Sequence, residues 1–369
     1  MKKSLLHTPD GVRDIYGKEF ARKLWVEEAV RKQFAHYGYE PIQTPTFEFF
    51  DIFSQEVGTT PSKDLFKLID GEGNTMVLRP DFTPGVTRCV AKYYVNHHEP
   101  LRLCYQGNTY TNTSSLQGKL KELTEMGVEL IGDESIFAEA ETIALVIEAL
   151  LAAGLKEFQI SIGQVEYFKG MCEAAGIDED TELRLRDFIA EKNIFGVENL
   201  LTETEVSENH RNRLINITHL FGTIDILKSA EEQADNNRSK TAIERLLALY
   251  EILCHYRVEK YIAFDLGMLS KYNYYTGIIF KCFAYGVGDV IAKGGRYDNL
   301  LAQFGKPAPA VGFGLVIDDL MAALSRQNVV IPIESTITIS YDDENFKDAL
   351  AEAQAERKKG NNVILKRLV

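Results

Sequence analysis

Cysteine is scarce and scattered: the five, at positions 89, 104, 172, 254 and 282, are odd in number and include no CxxC pair. That pattern excludes a disulfide framework, argues against a thiolate metal site, and fits reduced thiols in a cytoplasmic protein. The seven histidines are equally dispersed, and even His97-His98 lacks the partner spacing of a zinc site, so no metal and no cofactor are expected. Long hydrophobic runs are missing as well. The most apolar stretch, 143–155, is too short to cross a bilayer and carries Glu148, and the N-terminal segment 1–7 has two lysines but no apolar core for a signal peptide. No membrane partner is expected. Positive charge is in deficit, with 41 Lys+Arg against 54 Asp+Glu and a formal charge of −13. Because phosphate contacts supply most non-specific nucleic-acid affinity, that balance disfavours a broad RNA-binding surface. The chain also has no P-loop, no Ser-His-Asp motif and no Rossmann fingerprint.

What is present is an ordinary globular composition, 45% hydrophobic and 26% charged, over 369 residues. That is enough for one large domain with a sizeable core plus a small one. Residues 17–37 predict an amphipathic helix with Val26, Val30, Phe34 and Tyr37 on one stripe, closed by Gly38. The two prolines in 39–45 suit an edge segment. Short strands are expected at 75–78, 101–105, 127–131 and 158–162, with a helix over 135–153. A helical insertion fills about 164–258, with Thr241 to Glu244 as a capping box. Strands return at 261–266, 277–283, 287–292 and 310–316, and a helix runs on to about 325. The order predicts an α+β domain, 1–326, around a largely antiparallel sheet with flanking helices. A linker from 327 leads to a strand, a helix and a strand, a short C-terminal α/β unit over 327–369 that is too small for an independent sheet.

Four segments can carry chemistry. In Arg79-Pro80-Asp81-Phe82-Thr83, a carboxylate and a hydroxyl two residues apart share a face if they sit on a strand. Such a pair can hold an ammonium by charge-assisted hydrogen bonds; a strand end with a Pro-Asp turn is the plainer reading of the bare string. Glu125 and Glu129, four apart on an expected strand, also share a face and can address an imidazole or ammonium if a pocket encloses them. In the open they are ordinary solvated charges. Tyr272-Asn273-Tyr274-Tyr275-Thr276-Gly277 reads as an aromatic strand. Gly294-Gly295-Arg296-Tyr297-Asp298 places paired glycines where a backbone approaches a ligand or turns sharply.

In order and spacing these segments resemble histidyl-tRNA synthetase, a class II aminoacyl-tRNA synthetase, from about Thr8 to Leu320. The resemblance implies that fold, a homodimer through the first helix and strand, and a histidine pocket. That pocket would use Asp81, Thr83, Glu125, Glu129, Tyr274 and Tyr275, with Gly294 and Gly295 at its wall. The departures are specific. Thr111, Ser270 and Asp319 stand where the family has ATP-facing arginines, Glu125 replaces a glutamine and Asn273 an aspartate. Arginine's planar fork is not replaced by Ser or Thr, and an aspartate repels a triphosphate. The resemblance therefore implies no catalytic residue and no histidine activation. It points to the synthetase paralogues that serve as the regulatory subunit of ATP phosphoribosyltransferase, in the first step of histidine biosynthesis. There the partner is a short catalytic subunit and the effector is histidine. A divergent or truncated synthetase and a synthetase-like binding module remain the alternatives, and the end at Val369 is compatible with a truncation.

Overall fold

The computed structural model describes residues 6–53, 60–113, 119–270 and 274–368. Tyr272 and Asn273, the N-terminal segment 1–5 and Val369 lie outside the described residues. Two compact units emerge: residues 1–14 with 26–329, and residues 15–25 with 330–369.

The chain opens with α1 (Gly17–His36), whose stripe Val26, Val30 and Phe34 is buried while Tyr37 is half-buried. Then come β1 (Glu40–Pro41), β2 (Phe47–Phe49), β3 (Lys67–Ile69), β4 (Thr75–Leu78), α2 (Thr83–Tyr93), β5 (Leu101–Tyr110) and β6 (Glu122–Ile131). Helix α3 (Ile136–Ala152) follows, capped by Ser135, whose side chain accepts from the Ala138 N–H. Its central apolar residues Ile143, Leu145, Val146, Ile147 and Leu150 are at 0% exposure, while Phe137 and Leu151 near its ends are exposed. A run of consecutive apolar residues places a helix's middle in the core, and α3 lies against the large sheet. After β7 (Phe158–Gln164) comes the helical segment: α4 (Val165–Ala174), α5 (Glu179–Ala190), α6 (Ile194–Thr202), α7 (Glu208–Asn216), a two-residue β8 (Phe221–Gly222), α8 (Asp225–Gln233) and α9 (Asn237–His255). Strands β9 (Ile262–Asp265), β10 (Ile278–Ala284), β11 (Ala292–Arg296) and β12 (Ala310–Val316) lead into α10 (Ile317–Arg326).

Nine of these strands form one sheet in the order β1-β5-β6-β12-β11-β10-β7-β9-β8. Every pairing is antiparallel except β1 with β5 and β7 with β9. The Pro-bearing β1 sits at the edge, where a missing N–H costs no ladder bond. A separate three-stranded sheet is ordered β2-β4-β3. This is the class II synthetase-like α+β architecture that the sequence predicts, with helices packed on a large mixed sheet.

The smaller unit holds β13 (Thr336–Tyr341), α11 (Phe346–Lys358) and β14 (Asn362–Arg367). Its two strands pair in parallel, the geometry a crossover helix requires, and Ile339, Ala349 and Ala353 make its core.

Four local expectations are corrected. Asp81 and Thr83 are not on a strand: β4 stops at Leu78 and Thr83 begins α2. Pro84 explains this, because its fixed φ and missing N–H suit a first helical turn. Thr241 does not cap a helix; α9 starts earlier, at the Asn236 cap, whose side chain accepts from the Ser239 N–H. The strand expected at 287–292 begins only at Ala292. Gly294 and Gly295 accordingly lie inside a central strand and make no turn there.

Candidate functional site

Strand periodicity builds the site. The register aligns Gly295 with Gly312 and Lys293 with Gly314 across β11 and β12, and Gly312 with Glu129 and Gly314 with Gly127 across β12 and β6. Alternation then puts Lys293, Gly295 and Tyr297, Gly312 and Gly314, and Glu125, Gly127 and Glu129 on one face. The glycines leave this patch as bare backbone. A Cβ on Gly312 would run into the Glu129 carboxylate, and one on Gly314 into the Glu125 carboxylate. Both acids lean into space that any other residue would fill.

A small cavity lies over this floor. It is lined by Asp81, Thr83, Tyr105, Glu125, Glu129, Tyr274, Tyr275, Lys293, Gly294, Tyr297, Gly312, Phe313 and Gly314. Seven of the eight residues singled out from the sequence are therefore brought together. The eighth, Gly295, lies beneath the Tyr275 ring, which a Cβ would meet at 2.7 Å. Tyr105, Lys293, Tyr297, Gly312, Phe313 and Gly314 were not singled out. Of these only Tyr297 falls in a segment already marked, and the others become legible once β5, β6, β12 and β11 are known to be neighbours.

The polar contacts are internally ordered. The Thr83 hydroxyl donates to Glu129 Oε1 at 2.7 Å, and the Tyr297 hydroxyl donates to Glu129 Oε2. The Tyr105 hydroxyl donates to Glu125 Oε1 at 3.1 Å, and the Thr83 N–H donates to Asp81 Oδ1 at 3.0 Å. Tyr105 and Tyr297 are held by an apolar cluster with Phe82, Val86, Val90, Leu103 and Leu300, so the hydroxyls they present are preorganised. The Tyr274 and Tyr275 rings pack at 4.1 Å between centroids and form the aromatic wall.

Electrostatically the site is short of cations. Burial, then the charge of Asp81, pushes Glu125 up to about 7. Burial pushes Glu129 up to about 8, against the hydrogen bonds from Tyr297 and Thr83 that pull it down. Removing a carboxylate from water without a counter-charge disfavours its ionised form. Both acids are therefore shifted toward their protonated forms relative to exposed carboxylates. Its free space is about 20 Å³, room for about one water. An amino acid can enter only if the wall moves.

Two motif arginines outside the small cavity are tied into the fold. Arg79 donates to the Asn108 carbonyl at 2.8 Å and the Thr44 carbonyl at 3.0 Å, and lies over the Phe82 ring. Arg296 donates to the fully buried Glu139 at 2.5 Å, and Arg245 meets the same carboxylate at 2.8 Å. A wider cleft of about 780 Å³ lies beside Thr276 and Gly277, and the arginines that line it, Arg238, Arg245 and Arg296, are each paired with carboxylates. Thr111, Ser270 and Asp319 do not line the small cavity. The Thr111 N–H donates to the Lys121 carbonyl at 2.9 Å. Asp319 lies in the first turn of α10, where burial, then Asp289 and Asp318, push it up to about 6.

Comparison with known proteins adds to this geometry. The histidyl-tRNA synthetase family profile matches residues 11–320. The ATP phosphoribosyltransferase regulatory subunit of Ruminiclostridium cellulolyticum is 40% identical over 359 residues, 97% of this chain and 86% of that protein. The protein of the same name from Acetivibrio thermocellus is 40% identical over 357 residues, 96% and 85% of the two chains. The crystal structure of an ATP phosphoribosyltransferase regulatory subunit/histidyl-tRNA synthetase from Bacillus halodurans C matches with a TM-score of 0.91 and 35% identity, covering 99% of this chain and 93% of that one. Histidyl-tRNA synthetase from Nostoc sp. PCC 7120 matches with a TM-score of 0.83 at 19% identity, over 98% of this chain and 85% of that one, a likeness of fold alone.

Proposed function

The chain belongs to the family of ATP phosphoribosyltransferase regulatory subunits, and on that premise we propose that it is a non-catalytic subunit. It activates a short catalytic ATP phosphoribosyltransferase, which joins ATP to phosphoribosyl pyrophosphate, and conveys histidine feedback to it. A cytoplasmic homodimer within a hetero-oligomer belongs to the same proposal.

The observation that carries the reading is the small cavity, with its buried acids, aromatic wall and bare glycine floor. It suits a small cationic molecule with a ring. Because free space of about 20 Å³ cannot admit an amino acid, binding must select or create an opened state. A ligand shifts an equilibrium only through differential affinity for two states, so a pocket that must widen to bind has the energetic form of a sensor. The acids at Asp318 and Asp319 support the non-catalytic part. Asp318 Oδ2 already accepts from the Thr124 N–H at 2.7 Å, and Asp319 lies among like charges. A triphosphate there would meet repulsion where adenylation needs preorganised cationic donors.

The test is the rate of ATP phosphoribosyl transfer by the short catalytic subunit of the same organism, with and without this protein, then with histidine. Stimulation reversed by histidine is the expected result. Stimulation indifferent to histidine would remove the sensor role and keep the subunit. No stimulation by folded protein, with histidine-dependent ATP–pyrophosphate exchange instead, would return the chain to the synthetases.

A further inference from the structure

The cavity presents three carboxylates, from Asp81, Glu125 and Glu129, and, among its described lining residues, one side-chain cation, Lys293. Lys293 is exposed, and it stands opposite Gly314 in the β11–β12 register. Gly314 offers no side chain; the Glu125 carboxylate occupies the space a Cβ there would take, and Lys293 is its register partner on β11. The ammonium lies near enough to Glu125 to pull its pKa down, against burial and Asp81. On the outer side, β10 places Lys281 opposite Lys293, so two like charges neighbour each other there. That repulsion, together with Glu125, favours a lysine head leaning over the cavity.

We propose that Lys293 is the specificity residue of this cavity, taking the carboxylate of a free α-amino acid while the carboxylates of Asp81, Glu125 and Glu129 take its cationic end. The inference rests on the amino-acid reading above and deepens it. The site would then recognise a zwitterion by its two ends. A compact ammonium on a flexible stem can follow the carboxylate as the wall opens and closes. Decarboxylated amines and esters keep the cationic end and lose the other, so the site would discriminate against both.

Calorimetric titration of the intact protein with histidine, histamine and histidine methyl ester tests this without any variant. Histidine is expected to bind about tenfold or more tightly than either, the size of one charge-assisted hydrogen bond. Lys293→Ala should bring the three to within about twofold by weakening histidine alone, and Lys293→Arg should restore most of the gap. Lys293 is exposed, so folding is not at stake. Equal histidine affinity in wild type and Lys293→Ala, or parallel loss of histidine and histamine, overturns the assignment and leaves the sensor reading standing. If wild type binds a different amino acid, with the same Lys293-dependent preference over its decarboxylated amine, the histidine reading falls and the assignment stands. Absence of binding to any of the common amino acids overturns both.

Discussion

At the scale of single residues, the two buried glutamates govern behaviour with pH. Both have an ordinary value of 4.5, and in the fold Glu125 is raised to about 7 and Glu129 to about 8. A raised carboxyl favours the folded state while it is protonated. Its contribution is fully present below pH 4.5 and is lost as pH rises through the folded values. The melting temperature should therefore fall between about pH 4.5 and 8 and level off above, and Glu129→Gln should flatten that fall; a variant with the wild-type slope would refute the assignment. Binding of a cationic ligand should release protons, measurable as a buffer-dependent calorimetric enthalpy near pH 7; no buffer dependence would refute the raised values. Arg296 makes a separate prediction. It and Arg245 neutralise Glu139, which is 0% exposed, so Arg296→Met leaves a half-compensated buried charge. The expected loss is about 3 kcal/mol in denaturant unfolding, and a loss well under about 1 kcal/mol would show that Arg245 suffices.

At the scale of elements, the site depends on β12 carrying glycine on alternate positions beside β6. Gly312→Ala should cost about 1–3 kcal/mol, because the new methyl must displace the Glu129 carboxylate from its place between Thr83 and Tyr297. It should also abolish ligand binding. Gly71→Ala, with nothing within 4 Å of the added Cβ, is the control and should stay within about 0.5 kcal/mol. Equal stability of the two variants would mean that β12 moves aside freely. Helix α2 is the other determining element. Thr83 lies in its first turn and Phe82 in the apolar cluster, so the short turn Arg79–Phe82 sets where Asp81 stands relative to Glu129.

At the scale of the whole molecule, the proposed function makes activity the property of an assembly. The expected outcomes are no histidine-dependent ATP–pyrophosphate exchange by the chain alone, and stimulation of the catalytic subunit when the two are mixed. Removing one preorganised donor already costs roughly 10²–10³ in rate, and here three arginine positions hold Thr111, Ser270 and Asp319. Exchange above background would contradict the reading. The charge of −13 sets a further expectation: retention of tRNA on a filter should be weak even at low salt, and steep salt-dependent retention would favour an RNA-binding module.

Much of this was legible in the chain, because it depends on local chemistry. The periodicity of Val26, Val30 and Phe34, the apolar run of α3 and the strand-by-strand order specified the layers, since burying an apolar face dictates its period. The resemblance to histidyl-tRNA synthetase singled out Asp81, Thr83, Glu125, Glu129, Tyr274 and Tyr275 as a group, where types and spacing alone left plainer readings open. Only the tertiary structure decided what depends on register between segments distant in sequence. That includes Lys293 and Gly314 standing opposite each other, Tyr297 meeting Glu129 across 168 positions, and Gly294-Gly295 lying inside a strand. It also decided that the cavity is small and that burial raises the pKa of both its glutamates. A residue's type sets what it can do. Its pKa and its neighbours come from the water excluded around it and from the strands laid beside it, and those exist only in the folded chain.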